Sequence, residues 1–297
     1  MFKRESTEDR IFNVLNLLIL SAVLFIVLYP LYFTVIASIS DPVLVNTGQV
    51  YLYPRNVSLD GYKRVLANSE IWTGYRNTIF ITVLGTLINL AVTIPAAYAL
   101  SRRDMEGRNL IMALFTITMF FSGGLIPSYL VVRSMKMVNT FWALMIPGAI
   151  SVYNLIVSRT YMQANIPLEL QEAARIDGCS NTKILLRIVL PLSAPIIAVM
   201  ALFYGINHWN AYFGALIYIS KKELKPLQLI LRDILFQTNY AAAAFSTDDA
   251  ESVALQARIA EIIKYCVIIV SSLPVLMVYP FLQKYFTKGI MMGAIKG

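Results

Sequence analysis

The side chains best suited to holding a solute form a polar and aromatic group late in the chain. They are Tyr204, His208, Trp209, Asn210 and Tyr212. Aromatic faces stack on C–H surfaces, and amide and imidazole groups bond hydroxyl groups, so this set suits an uncharged, hydroxyl-rich solute. At helical spacing His208 and Tyr212, with Trp209 beside them, share one side of a helix, and Tyr204 extends that side. The alternative interpretation is packing, since a lone histidine on an apolar helix is more often a packed side chain.

A polar segment at 172–191, EAARIDGCSNTKILLRIVLP, separates two long apolar runs. Gly178 is suited to ending a first short helix, because glycine adopts a left-handed cap freely. Ser180 or Asn181 can cap a second helix. We expect the second helix to continue rigidly through Pro191 into the following apolar run. A partner that binds a short exposed helix joined in this way to a membrane segment could move that segment.

The motifs of the common hydrolytic chemistries are missing from the sequence. It has no G-x-x-x-x-G-K-[ST] phosphate-binding loop, no G-x-S-x-G elbow and no H-E-x-x-H pair. Cys179 lies in the polar segment and Cys266 in an apolar run, so we expect no disulfide between them. With one histidine and no C-x-x-C pair, we expect neither a metal site nor catalytic residues in this chain.

The composition is that of a membrane protein. Of 297 residues, 58% are hydrophobic and 14% are charged, whereas soluble domains average about 25% charged residues. The apolar residues form blocks that approach or exceed the roughly 20 residues needed to cross a bilayer. We predict one all-α transmembrane domain over residues 1–297, with spans at about 14–38, 77–101, 110–132, 142–158, 188–220 and 265–283. Gly123, Gly124 and Pro127 interrupt the third span.

The distribution of basic residues predicts the orientation. The net charge of +8 comes from lysines and arginines at the ends of apolar blocks, not from a stripe of the kind that binds nucleic acid. Basic residues are denser in the segments at 1–13, 101–109, 158–188 and 284–297 than in the intervening ones. The positive-inside rule therefore places both termini and the loop at 166–187 in the cytoplasm. The first apolar block is too long for a signal-peptide core, so we expect it to be retained.

The polar segment resembles a known motif. The order Glu172-Ala173-Ala174, Gly178 and Ile188-x-Leu190-Pro191 resembles the EAA loop of bacterial ABC importer permeases, with Asp177 also matching. The stretches FFSGGLIPSYLVVRSMKMVNTFWALMIPGA, HWNAYFGALIYI and YPFLQKYFTKGIMMGAIKG are similar to the carbohydrate-uptake branch, of the maltose-permease G type. The resemblance covers nearly the whole chain after residue 10 and is closest to permeases for oligosaccharides or polysaccharide fragments.

This resemblance implies a fold, a role and a set of partners. The fold is the six-transmembrane-helix type I ABC importer permease fold, in the bacterial cytoplasmic membrane. The implied partners are a second related permease in a heterodimer, two ATPase subunits that bind ATP and Mg²⁺, and an extracytoplasmic solute-binding protein. The cargo is an oligosaccharide. The implied coupling residues, which dock on an ATPase through a polar glutamate and a small alanine face, are Glu172, Ala173, Ala174, Asp177 and Gly178.

Two other classes of function are compatible with a six-span chain. An ion or solute channel, or a membrane scaffold, would assemble with partners without an ATPase contact at the polar segment. A membrane-embedded enzyme would need an intramembrane carboxylate pair or a set of metal ligands, and the predicted spans contain neither. His208 is the one histidine in the spans, where an acidic solute would require a cation.

Overall fold

The computed structural model describes residues 6–244, 263–277 and 280. These residues form helices and connecting turns, with no strand among them, which agrees with the predicted all-α class. The chain divides into two compact units. The first comprises residues 1–68 and 233–273, and the second comprises residues 69–232 and 274–297.

The first unit begins with α1, Thr7–Ser38, the helix of the first predicted span. The Ser6 hydroxyl caps it by accepting a hydrogen bond from the Glu8 amide, and the Asp9 carboxylate accepts one from the Ser6 amide, which satisfies two amides at the start of the helix. No residue in the most apolar part of α1 is buried in the isolated chain. Such a helix requires lipid or another protein around it, because water would leave this apolar surface unburied.

The last turn of α1 forms the small core of the first unit. Ile36 and Ala37 pack with Val45 and Val50. Two short helices follow, α2 (Pro42–Asn46) and α3 (Asp60–Ala67). Their contacts fix the end of α1, since Tyr62 in α3 lies 2.8 Å from the Ser38 hydroxyl.

The second unit is built around α4, Ser69–Ser101, a helix of 33 residues. At 1.5 Å per residue its length is about 50 Å, more than a bilayer core requires. It begins well before the predicted second span and ends at the predicted residue. Buried side chains occur along its whole length, among them Ile71, Asn77, Ile81, Asn89, Thr93, Ala97 and Leu100. Helices α8 and α12 pack against it.

The third predicted span is a broken helix, as the glycines and the proline predict. Helix α5 covers Arg108–Phe120 and α6 covers Leu125–Ser134, and their axes differ by 116°. Gly124 stands between them with φ +84°. This backbone conformation is left-handed and glycine adopts it without a side-chain clash.

The fourth predicted span does not coincide with one helix. Helix α7 covers only Trp142–Met145, and α8 begins at Val152 and continues to Asn165. The chain between them contains Pro147, which has no amide hydrogen to donate. Because the backbone between α7 and α8 is not helical, some of its carbonyls need partners from elsewhere in the chain.

The polar segment contains two helices and a bend. Helix α9 covers Leu168–Ile176, and α10 (Asn181–Ile184) leads through a π-helical turn at Leu185–Val189 into α11, Leu190–Leu192. Helix α12, Ala194–Asn210, then departs at 81°. The expected rigid continuation is wrong, because the chain bends at Ser193 between two prolines that donate no backbone hydrogen bond.

The predicted fifth span is also interrupted at its far end. Helix α12 stops at Asn210, and α13 covers only Phe213–Tyr218. A 3₁₀ turn at Lys222–Leu224 precedes α14, Leu227–Ala244. The buried Asn77 amide donates to the carbonyls of Glu223 and Lys225, at 2.8 and 3.0 Å, and so fixes this turn on α4.

A further helix, α15, covers Ile263–Met277 at the sixth predicted span. Within the described residues, α1 and α4 are long and apolar enough to cross a membrane, and up to four segments qualify if each bent pair counts as one. Six spans remain a prediction. Of the C-terminal stretch YPFLQKYFTKGIMMGAIKG, only Pro280 is described, so the rest lies outside the described residues.

Candidate functional site

Gly178 ends α9 in the conformation that the sequence predicts. Its φ is +75°, in the left-handed region. The Gly178 amide donates to the carbonyl of Arg175, and the Cys179 amide donates to the carbonyl of Ala174, both at 2.9 Å. This pair of bonds is the Schellman motif, which satisfies the last carbonyls of a helix. The half-buried Cys179 packs against the same core as Ala174, which completes the motif.

Ser180 begins the second helix of the polar segment. Its hydroxyl accepts a hydrogen bond from the Lys183 amide, at 3.3 Å. Of the two capping residues that the sequence allows, the structure therefore uses Ser180. Asn181 has a different partner, since its side-chain oxygen accepts a bond of 2.7 Å from Arg102.

One face of α9 is exposed and the opposite face packs against the core. Glu172, Ala173 and Asp177 are exposed, and the side chain of Ile176 is 87% exposed. Ala174 is 6% exposed and packs against the core of the second unit. Of the two alanines expected to form a docking face, Ala173 is therefore exposed, whereas Ala174 packs inward and holds the helix to its own chain. Ile176 is thus a large apolar side chain that the isolated chain leaves exposed between acidic residues.

The loop between α4 and α5 carries a network of charged side chains that reaches the polar segment. The Arg102 guanidinium donates to both carboxylate oxygens of Asp104, at 2.9 and 2.7 Å. Arg175, on α9, donates to the same carboxylate at 2.5 Å. The hydrogen bond from Arg102 lowers the pKa of Asp104, and the bond to Asp104 raises the pKa of Arg102. Both groups are therefore charged near neutral pH, and the network is ionic.

Two of the predicted solute-binding residues are engaged in the interior of the unit. The Tyr204 hydroxyl lies 2.7 Å from the Thr93 hydroxyl and accepts a bond from the Ser151 amide, at 3.2 Å. His208 Nε2 lies 2.7 Å from Asn89 Oδ1. The predicted shared side of Tyr204 and His208 is confirmed, and it faces α4.

Asn89 connects this pair to the break between α7 and α8. Its amide group donates to the carbonyls of Gly148 and Ala149, both at 2.9 Å. Since both amide hydrogens are used, Asn89 Oδ1 is an acceptor and His208 Nε2 carries the proton. Gly85 permits this approach, because a Cβ there would lie 2.6 Å from His208 Nε2. Asn89 thus supplies the partners that these two carbonyls require.

The other three predicted solute-binding residues are placed differently. Trp209 is buried at 7% exposure and lines an apolar cavity of about 590 Å³. Asn210 and Tyr212 are exposed. Tyr212 lies beyond the end of α12, because the backbone at Ala211 is extended, so the predicted helical face shared with His208 is wrong for Tyr212. The structure therefore does not bring the five residues into one lining.

Sequence reasoning missed Asn89, Arg102 and Asp104. Asn89 is a buried polar residue in a run without charges, which is a usable signal because such residues need partners. Arg102 and Asp104 have the ordinary composition of a polar loop. Their partners on α9 and α10 lie more than seventy residues away in the sequence, so spacing gave no signal.

Most of the second unit lies within a match to a known family. Residues 71–290 match the family described as binding-protein-dependent transport system inner membrane component. Among curated proteins, the chain is 40% identical to Protein LplC of Bacillus subtilis (strain 168) over 288 residues, covering 97% of this chain and 96% of LplC. It is 38% identical to the polygalacturonan/rhamnogalacturonan transport system permease protein YtcP of the same strain, covering 98% and 100% of the two chains.

A solved structure shows the same fold. The chain is similar to one from a bacterial ABC transporter involved in the import of the acidic polysaccharide alginate. The TM-score is 0.83 at 33% sequence identity, and the match covers 96% of this chain and 100% of the other. The predicted fold class is confirmed by this similarity.

Proposed function

The chain belongs to the family of binding-protein-dependent transport system inner membrane components, and from this premise we propose that it carries an oligosaccharide or polysaccharide fragment across the membrane. It is the permease subunit of an ABC importer. The substrate class is supported by similarity along almost the whole chain to YtcP and to the alginate transporter chain. That similarity is the observation on which the proposal depends.

We further propose the composition of the complete transporter. The chain pairs with a second, related permease, and two ATPase subunits bind ATP and Mg²⁺ on the cytoplasmic side. A solute-binding protein delivers the sugar on the other side. Helix α9 is the ATPase contact, where Glu172, Ala173 and Ile176 meet the partner and Gly178 fixes the turn. The exposure of these side chains supports this role.

Coupling between the two sides follows from thermodynamic linkage. If ATP-driven closure of the ATPase pair shifts α9 and favours one arrangement of the spans, then a binding protein that prefers this arrangement must favour ATPase closure equally. The test is to purify the chain with its companion permease and its ATPase and reconstitute the complex in vesicles. We expect the sugar-loaded binding protein to stimulate ATP hydrolysis and sugar entry together. A solute flux that is the same with and without ATP would instead support the channel alternative.

The orientation of the chain gives a separate prediction. Lys183 in α10 and Lys222 in the 3₁₀ turn are both exposed, and we place Lys183 in the cytoplasm and Lys222 outside. With Cys179 and Cys266 replaced by alanine, Lys222→Cys should react with a membrane-impermeant maleimide in intact cells. Lys183→Cys should react only after permeabilisation. The reverse pattern would place α9 on the wrong side for an ATPase.

The sugar path remains a proposal about side chains near the end of α12. Trp209, Asn210 and Tyr212 are candidates to contact sugar, while Tyr204 and His208 hold the helix in place through the bonds described above. Tyr212→Ala should lower sugar entry several-fold and leave stimulated ATP hydrolysis intact, because the aromatic face is lost and α9 is untouched. Tyr212→Phe keeps the face and should transport normally. Equal loss of ATPase stimulation in Tyr212→Ala would assign the residue to gating instead.

A further inference from the structure

The loop between α4 and α5 is the connection between the polar segment and the longest helix of the second unit. We propose that Arg102, Asp104, Arg175 and Asn181 form a latch that makes α9, α10 and the end of α4 move together. This inference rests on the proposed role of α9 as the ATPase contact. Under it, Arg102 and Asp104 are positioning residues for coupling, although neither touches the sugar or the ATPase.

Arg102 is the centre of the latch. Four of its N–H groups are used, two on the Asp104 carboxylate, one on Asn181 and one on the Tyr98 hydroxyl at 3.3 Å. The paired bonds to Asp104 form the fork geometry that fixes both distance and orientation. The guanidinium also lies 5.7 Å from the ring centre of Tyr98 on α4, and its side chain is only 12% exposed. The side chain is therefore held in one position.

The latch joins three helices. Asp104 binds Arg175 on α9, and Arg102 binds Asn181 on α10. A second tie runs directly from α4 to α9, because the Tyr98 hydroxyl donates to Gln171 at 3.3 Å. A displacement of α9 by a partner cannot occur without either moving the end of α4 or breaking these bonds.

The end of α4 is itself fastened to the unit. Arg159 of α8 donates to the Leu100 carbonyl at 2.9 Å, and Arg108 donates to the Arg102 carbonyl at 3.0 Å. Ala97 and Leu100 are buried in the main core of the unit. Because α4 packs along α12, a movement received at Arg102 reaches the helix that holds Trp209. The latch is therefore part of the series of contacts that joins α9, through α4 and α12, to the proposed sugar path.

The exposure of the ion pairs separates coupling from stability. Asp104 and Arg175 are 49% and 43% exposed, and ion pairs in contact with water contribute little to folding. Loss of the pair between Asp104 and Arg175 should therefore leave the chain folded and inserted. It should change how much of the motion of α9 reaches α4, which is measured by the sugar imported per ATP hydrolysed.

The experiment compares Arg102→Ala, Asp104→Ala and Arg175→Ala in the complete transporter reconstituted in vesicles. Each should lower sugar imported per ATP by about fivefold or more, the lower end of coupling between distant sites. The double variant Asp104→Ala/Arg175→Ala should be no worse than Asp104→Ala alone, since both changes break one network. Arg175→Lys keeps a charge within reach of Asp104 and should recover most of the coupling.

A matched control is the exposed ion pair between Lys63 and Asp60 on α3, at 3.2 Å. Asp60→Ala should leave the coupling ratio and the melting temperature unchanged. The latch is disproved if the three alanine variants keep the wild-type ratio, or if they act only by reducing the amount of assembled complex. If the wild-type complex itself shows no stimulated ATP hydrolysis, the proposed function fails. If the wild-type complex shows stimulated ATP hydrolysis and the variants have the same coupling ratio, the latch fails and the proposed function stands.

Discussion

Replacing Gly178 with valine should abolish sugar entry while leaving the chain inserted and assembled. Gly178 adopts φ +75°, and a left-handed conformation costs other residues roughly 1–2 kcal/mol, with β-branched side chains among the worst suited. A Cβ at Gly178 would meet no atom within 4 Å, so the effect is conformational and not a clash. Losing the turn would release the two bonds that end α9 and alter its direction toward α10.

A matched control exists in the first unit. Gly48 has φ +70° and also has no atom within 4 Å of an added Cβ. Gly48→Val therefore imposes the same backbone penalty away from α9, and it should preserve uptake. Gly178→Asn should retain much of the activity, because asparagine tolerates the left-handed region. Uptake and stimulated ATP hydrolysis, normalised to membrane content, measure the effect. Normal uptake by Gly178→Val would show that coupling does not require this turn.

Local signals predicted the parts of the structure that depend on local chemistry. The left-handed conformation at Gly178, the break at Gly124 and a polar cap at one of two neighbouring residues before α10 follow from residue types at single positions. The helix of the first span ends at Ser38 as predicted, because the polarity of the chain changes there. Each of these features is decided by a few neighbouring residues, so the sequence alone is sufficient.

The features that sequence reasoning missed depend on distant partners. The bend at Ser193 requires prolines, which the sequence shows, but its angle is set by packing that spacing does not encode. The inward position of Ala174 depends on the core beneath α9. The network of Arg102 requires residues from three helices to meet. None of these arrangements leaves a periodic pattern in the sequence.

Asn89 shows the same limitation and has the largest expected effect on folding. It is fully buried and holds three partners, the carbonyls of Gly148 and Ala149 and the ring of His208. Asn89→Leu leaves all three polar groups without this partner, at part-buried positions. A buried polar group without a partner costs about 1–3 kcal/mol, and the low end applies to each of these because water reaches part of the site. The sum, about 3 kcal/mol, is a substantial part of the roughly 5–15 kcal/mol by which proteins are usually stable.

We therefore expect Asn89→Leu to lower the yield of monodisperse detergent-solubilised protein severely and its melting temperature strongly. Asn89→Asp should be nearly as harmful, because a carboxylate cannot donate to the two carbonyls, although it still accepts from His208. His208→Ala breaks only one of the bonds and should be milder. The exposed Asn109 on α5 is the control, and Asn109→Leu should behave as wild type. If Asn89→Leu melts like wild type, the break between α7 and α8 does not depend on this side chain. An order in which His208→Ala is the most damaging would make the imidazole, and not the amide, the group that holds the break in place.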